Sequence, residues 1–254
     1  MTKKNAIIQV KNLYKKYDKL EAVKGISFDV YENEIFGFLG PNGAGKTTTL
    51  EIIETLREET DGDVVVGGYS INKEPEKVKT IIGVQLQSAG FHSGVTLTEI
   101  LQLFAALYNV QINPKKLLDK VHLGDKAKSQ VKELSGGQRQ RFSIATTLVH
   151  KPPIIFLDEP STGLDPQARR NLWGLIKEIR DSGTTIVITT HFMDEAEELC
   201  DRVAIIDKGE ILEINTPDKL IDKLLARGFK KPRPKKDANL EDVFLELTGK
   251  KLRE

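Results

Sequence analysis

A single cysteine in 254 residues, Cys200, rules out an internal disulfide and any cysteine cluster for a metal, and fits work in a reducing compartment. Excess charge of either sign is missing too. Lys plus Arg number 38 against 37 Asp plus Glu, so no overall basic field argues for nucleic acid as the main partner. No apolar run approaches the roughly 20 residues needed to cross a bilayer, and the opening "MTKKNAIIQVKN" has no long apolar stretch of the signal-peptide kind. If the protein works at a membrane, another chain must supply the span. What is present is ordinary globular material: 39% hydrophobic and 30% charged residues, enough for one sizeable core or one domain with a subdomain. There is no internal repeat and no long low-complexity tract.

Along the chain, residues 6 to 39 read as short strands, "AIIQVKNL", "GISFDV" and "EIFGFLG", rich in β-branched and aromatic residues between turn signals. Residues 46 to 58 place Leu50, Ile53 and Leu56 at helical spacing. The stretch from about 92 to 133 reads as mostly helical, "LTEILQLFAALYNV" most clearly, and separates two glycine-rich segments. Two near-continuous apolar runs, "PIIFLD" and "TTIVITTH", flank the helical "ARRNLWGLIKEIRDSG". Such runs suit parallel strands covered on both faces, joined by a helical crossover, which makes the class α/β. The basic, proline-containing "RGFKKPRPKKDAN" reads as a linker to a short terminal helix, "LEDVFLELTG", whose Leu240, Val243, Phe244 and Leu247 share a face.

Three motifs carry chemistry. "GPNGAGKT", Gly40 to Thr47, fills the phosphate-loop pattern between a predicted strand and a predicted helix. Its glycines let successive N–H groups point inward at phosphate oxygens, at the positive end of the helix. Lys46 would reach the β and γ phosphates, and the Thr47 hydroxyl would sit on Mg²⁺. In "FLDEP" (156 to 160), carboxylates stand at a strand's carboxyl end, where open α/β sheets bind nucleotides. There Asp158 would hold Mg²⁺ and Glu159 would polarise an attacking water. In "ELSGGQRQRFS" (133 to 143), Ser135 and Gln138 make a capping box for a helix whose Phe142, Ala145 and Val149 share one face. Two glycines in its first turn cost about 1 kcal/mol each relative to alanine, which suggests that close backbone approach to an anion matters there. One chain thus carries two anion sites.

Together, "LSGGQ", "GPNGAGKT" and "IIFLDEP" resemble the ATP-binding cassette family, the ATPase subunits of ABC transporters, over residues 6 to about 220. The resemblance implies a phosphate-loop NTPase cassette, residues 1 to 220, with a mostly parallel core sheet and an N-terminal antiparallel β subdomain. A helical signature subdomain would cover about 88 to 150, and residues 221 to 254 would form the linker and terminal helix. It also explains the second anion site: two chains would pair head to tail, with two ATP molecules between them. Ser135, Gly136, Gly137 and Gln138 of one chain would close over Gly40, Pro41, Asn42, Gly43, Ala44, Gly45, Lys46, Thr47 and Thr48 of its partner.

By the same resemblance Tyr17 stacks on adenine, with Tyr14 close by and Asp18 where the family usually has glycine. Gln87 matches the glutamine that touches Mg²⁺ or water and senses the membrane partner, with Gln85 as the fallback. Ser161 to Asp165 match the D-loop, which would bring Asp165 to the nucleotide interface, and His191 matches the switch histidine on the γ phosphate. His92, His122 and His150 lack such context and read as structural. Lys46, Gln87, Glu159 and His191 form the expected catalytic set, and Thr47, Gln87 and Asp158 the Mg²⁺ set. Every motif residue has its active form.

The form of "IGVQLQ" and the terminal "LEDVFLELTG" resemble ATPases of ABC-2 type exporters. This implies a second ATPase subunit, a separate permease, and a cytoplasmic position on the inner face of the cell membrane. A chromosome-maintenance ATPase would need long coiled coils between phosphate loop and signature, and a two-cassette translation factor would need a second cassette. A soluble assembly ATPase of the iron-sulfur scaffold type remains the alternative, separated by what docks at residues 88 to 100.

Overall fold

The computed structural model describes residues 5–85, 90–91 and 94–229. The first two strands, β1 (Ala6–Tyr17) and β2 (Leu20–Tyr31), form a hairpin with several register shifts. β1 is half as long again as its predicted run and β2 twice as long, because those shifts carry the pairing through Asn12 (φ 48°) and Gly25 (φ 72°) instead of ending it. With β4 (Asp61–Val66) and β5 (Tyr69–Ser70) they make an antiparallel sheet of order β2-β1-β4-β5.

The second sheet contains β3 (Ile35–Leu39), β6 (Ile82–Gln85), β7 (Ile154–Asp158), β8 (Thr185–Thr190), β9 (Arg202–Asp207) and β10 (Glu210–Asn215). Its order is β10-β9-β3-β8-β7-β6, all parallel except β10. Every residue of β7 and β8 is buried, as a strand covered on both faces requires.

Alternation along these strands feeds two cores. Phe36 and Phe38 of β3, Phe156 of β7 and Val187 of β8 face the antiparallel sheet and helix α1 (Lys46–Ile53). Phe28, Phe36 and Phe38 pack there with ring centroids 5.1 to 5.5 Å apart. Ile35, Ile155, Leu157, Ile186 and Ile188 face the other side. They meet helices α3 (Leu97–Leu107), α5 (Gly136–Thr147), α6 (Pro166–Asp181) and α7 (Met193–Leu199). Phe142 and Ala145 of α5 lie buried in that core, as their spacing predicts; Val149 is buried there too, but in the turn after the helix ends at Thr147.

Several expectations are corrected. Helix α1 stops at Ile53 rather than near 58: Thr55 takes φ 62°, a left-handed conformation that ends the helix, and Leu56 is left exposed. Among the described residues of the insertion, only α3 and α4 (Pro114–Lys120) are α-helices, followed by two single 3-10 turns. Helix α2 (Pro75–Ile81) has no counterpart in the sequence reading. A last helix, α8 (Pro217–Ala226), runs across the boundary placed at 220, and the terminal "LEDVFLELTG" lies outside the described residues.

Candidate nucleotide site

Three adjacent parallel strands deliver the site. In the order β3-β8-β7, Leu39 pairs with Thr190 and Asp158 with Thr189, so the segments following all three strands leave the sheet at one edge. The phosphate loop follows β3, His191 follows β8, and Asp158 and Glu159 close β7.

The loop's shape depends on its glycines at two points. Gly45 has φ 101°, and a Cβ there would lie 2.5 Å from the Ala22 carbonyl oxygen. A Cβ on Gly40 would lie 2.1 Å from the Ile206 carbonyl oxygen, so only glycine lets the loop run against β9. The β9–β10 turn supports the loop from behind, where the Gly209 N–H donates to the Ala44 carbonyl at 2.9 Å.

Lys46, only 4% exposed, donates from Nζ to the Gly40 and Pro41 carbonyls at 2.8 and 3.1 Å. It also lies 3.6 Å from Glu159 Oε1, while His191 Nδ1 stands 3.2 Å from Glu159 Oε2. Thr162 Oγ1 donates to that same Oε2 at 3.2 Å. Glu159 itself is held at φ 47°, its N–H donating to Thr189 Oγ1 at 3.0 Å. A non-glycine residue in this region costs about 1–2 kcal/mol, the kind of strain that collects at functional sites. The Thr47 hydroxyl donates to the Asp158 carboxylate at 3.2 and 3.3 Å, and Thr189 Oγ1 donates to it from the other side. Burial pushes the Asp158 carboxyl up, and the Thr189 and Thr47 hydroxyls counter this by favouring its charged form.

The cavity in front of the loop, about 690 Å³, is lined by Asn42, Gly43, Gly45, Lys46, Thr47, Thr48 and Glu159 on one side and Tyr17, Leu20 and Lys208 on the other. Gly40, Pro41 and Ala44 stand outside that lining. Tyr17 is in the wall with the Lys15 and Arg57 cations about 5 Å from its ring centroid. Tyr14 is instead wedged against Gly25, and Asp18 occupies its turn at φ 46°.

Ser135, Gly136, Gly137 and Gln138 are absent from the cavity's lining. They form the predicted capping box, with the Gln138 N–H donating to Ser135 Oγ at 3.2 Å and the Ser135 N–H to Gln138 Oε1 at 3.0 Å. Asp165 also lies outside it, and its carboxylate caps α6, accepting from the Ala168 N–H at 2.8 Å. Gln85 ends β6 and is buried, whereas Gln87 and His92 lie outside the described residues. His150 stacks on Tyr108 at 3.8 Å and bonds the Ile82 carbonyl, a structural role. His122 differs from the structural reading: its side chain is 58% exposed, 3.8 Å from Glu178, because a left-handed backbone (φ 57°) turns it outward after α4.

A family model described as "ABC transporter" matches residues 23–162. The chain belongs to the ABC transporter family. Among curated relatives of this ABC ATPase, the linearmycin resistance ATP-binding protein LnrL of Bacillus subtilis (strain 168) is 39% identical over 223 residues, spanning 86% of this chain and 72% of the relative. The daunorubicin/doxorubicin resistance ATP-binding protein DrrA of Streptomyces peucetius is 37% identical, spanning 86% and 68%. A solved ATP-binding subunit of an ABC transporter covers 95% of this chain and 99% of its own, with TM-score 0.77 and 28% identity. The cassette MJ0796, solved as a post-hydrolysis dimer bound to ADP and Pi, covers 83% and 98% with TM-score 0.74 and 27% identity. The ABC ATPase therefore binds and hydrolyses ATP, and its α/β fold is that of these cassettes.

Sequence reading missed two neighbours of this site. Thr189, inside the apolar run "TTIVITT", bonds both Asp158 and Glu159; its signal was a hydroxyl two residues before His191. Glu54 is buried at the end of α1, and its carboxyl is pushed up to about 8, first by burial and then by Asp158 and Glu51. A carboxyl raised in the folded state stabilises the fold most below its unfolded value, and that contribution is lost as pH rises toward 8. Glu54→Gln removes the loss. Calorimetry in EDTA is expected to show a melting temperature about 5 °C higher than the unmodified chain at pH 8.5 and nearly equal at pH 5.

Proposed function

We propose that this chain is the ATP-hydrolysing subunit of an exporter, and that it drives a separate membrane permease by closing two copies head to tail around two ATP molecules. The observation that carries the shared site is the cavity itself. It gathers the phosphate loop and Glu159, with His191 alongside, yet the Ser135 helix start, built with two glycines in its first turn, lies outside its wall. Such a start serves a phosphate held by a second chain. The dimer of MJ0796 supports this arrangement.

Mg²⁺ fits the donor set. Among the described residues no cluster of three or more His, Cys, Asp or Glu could cage an ion. Thr47 and Asp158 instead offer two hard oxygen donors side by side, the partial set that suits Mg²⁺ completed by phosphate oxygens and water. Bound there, the ion neutralises phosphate charge. Lys46 would contact phosphate oxygens and Glu159 would orient the attacking water, with Thr162 bonding its carboxylate and His191 standing beside it. Tyr17 offers a face for the adenine.

Export is supported by relatives whose names describe resistance to linearmycin and to daunorubicin or doxorubicin. They favour a permease-coupled subunit over a soluble assembly ATPase. Among the described residues no helix is long and apolar enough to cross a membrane, so the proposed position, on the inner face of the cell membrane, needs the permease. Exposed Leu103 and Leu107 on α3, at 52% and 73%, give an apolar patch near the segment expected to meet it. Affinity purification of tagged chain from detergent-solubilised cells is expected to bring down a polytopic membrane protein in stoichiometric amount. Recovery of soluble partners alone would overturn the export reading.

A further inference from the structure

Glu195 is a fully buried acid that the site described above does not use. It lies four residues after His191, in the first turn of α7, with no exposed surface. Its Oε1 accepts two hydrogen bonds, from Ser161 Oγ at 2.5 Å and from Trp173 Nε1 at 3.0 Å. Ser161 is equally buried and stands two residues after Glu159, at the start of the loop that ends in the Asp165 cap. The next residue, Thr162, donates to Glu159 Oε2. A single carboxyl group therefore joins three segments: the loop after β7, helix α6 through Trp173, and the segment after β8 that carries His191.

We infer that Glu195 is a positioning residue for hydrolysis, which fixes the loop bearing Glu159 and Thr162 against the segment bearing His191. The chemistry favours this over a purely stabilising role. Burying a carboxyl group is costly, and apolar packing of the same volume often serves stability as well or better. What apolar packing cannot supply is an acceptor that holds a serine and an indole at one point. The consequence falls on the contact between Glu159 and His191, 3.2 Å apart: Thr189 ties the two strand ends to each other, and the buried Ser161–Glu195 bond joins the segments that run on beyond them. Misplacement of about 1 Å at such a contact can cost a hundredfold in rate.

This inference rests on Glu159 as the water-orienting carboxylate, so Glu159→Gln is measured in parallel. The experiment compares full-length Glu195→Ala, Glu195→Gln, Ser161→Ala and the double variant Ser161→Ala/Glu195→Ala. Readouts are ATP turnover per bound-nucleotide site, KM for ATP, and binding stoichiometry of a fluorescent ATP analogue. Glu195→Ala is expected to bind one analogue per chain with KM within about twofold, while turnover per bound site falls about tenfold. Glu195→Gln keeps an acceptor oxygen and is expected to stay within about threefold of the unmodified chain, a rescue that counts against a role for the charge itself. The double variant is expected to fall no further than Glu195→Ala, because both changes break one contact.

Unchanged turnover per bound site in Glu195→Ala and Ser161→Ala, or a Gln variant as slow as the Ala variant, would overturn the inference. If Glu195→Ala fails to fold, the other two single variants decide: Ser161→Ala slow with Glu195→Gln near normal supports it, and any other pattern rejects it. Hydrolysis surviving in Glu159→Gln would overturn the site reading as well. Loss of hydrolysis in Glu159→Gln with normal Glu195 and Ser161 variants would reject this inference alone.

Discussion

Glu159→Gln should bind ATP with near-normal affinity, lose hydrolysis by about 10²–10³-fold, and accumulate as a dimer in Mg-ATP. The amide keeps the volume of the carboxyl and can still accept from Thr162, so the loop at φ 47° has no reason to move. What it loses is the negative charge that would polarise water and that faces both Lys46 at 3.6 Å and His191 at 3.2 Å. Slow hydrolysis leaves the closed pair without an exit, so size-exclusion chromatography with light scattering should shift from one chain to two on adding Mg-ATP. A variant that bound ATP, failed to hydrolyse it and stayed monomeric would show that the isolated chain does not close on a second copy.

Lys46→Ala should be worse at an earlier step. The ammonium is buried, clamped by the Gly40 and Pro41 carbonyls and facing Glu159, so it is already placed where phosphate oxygens would accumulate charge. Its removal is expected to lower kcat/KM for ATP by at least about 10²-fold, the range found when one aimed donor is deleted from a site that stabilises charge. Here KM should rise and nucleotide binding weaken, whereas Glu159→Gln spares binding. Lys46→Arg should rescue little, because a planar guanidinium fork does not fit a slot in which the lysine is 4% exposed. Steady-state kinetics and nucleotide titration on the purified chain separate the two variants.

The contrast between these residues and the ones that were missed marks how far the sequence could be read. Lys46, Thr47, Asp158 and Glu159 were legible because phosphate chemistry demands those types next to tight turns, and apolar strands on either side showed where the turns sit. The parallel strands β7 and β8 were legible because burial on both faces leaves an unbroken apolar run. Glu195 was not, since an acid among Asp194, Glu197 and Glu198 reads as part of a solvated face. Only the fold buries it beside Ser161, 34 positions earlier in the chain. The end of α1 failed for a related reason: a threonine at φ 62° breaks the preference of β-branched residues, and the local pattern contains no glycine to announce it. Asp165 is different, because its expected place lies between two chains. Its place in "STGLD" suggested the nucleotide interface, and within one chain its carboxylate is engaged as the cap of α6.

The central claim is that each ATP site is built from the phosphate loop of one chain and the signature helix of another, and mixing two inactive variants tests it most directly. One variant is Lys46→Ala, with an intact signature. The other is Gly136→Asp, which places a carboxylate at an exposed helix start where a Cβ would meet nothing closer than Leu164 at 3.8 Å, so the fold should tolerate it. Alone, each should be nearly inactive. Mixed in equal amounts, half of the pairs are hybrids with one complete site, and ATPase activity should recover to about a quarter of the unmodified rate. No recovery on mixing, with both variants folded and inactive alone, would mean that a chain completes its own site and that the head-to-tail account is wrong.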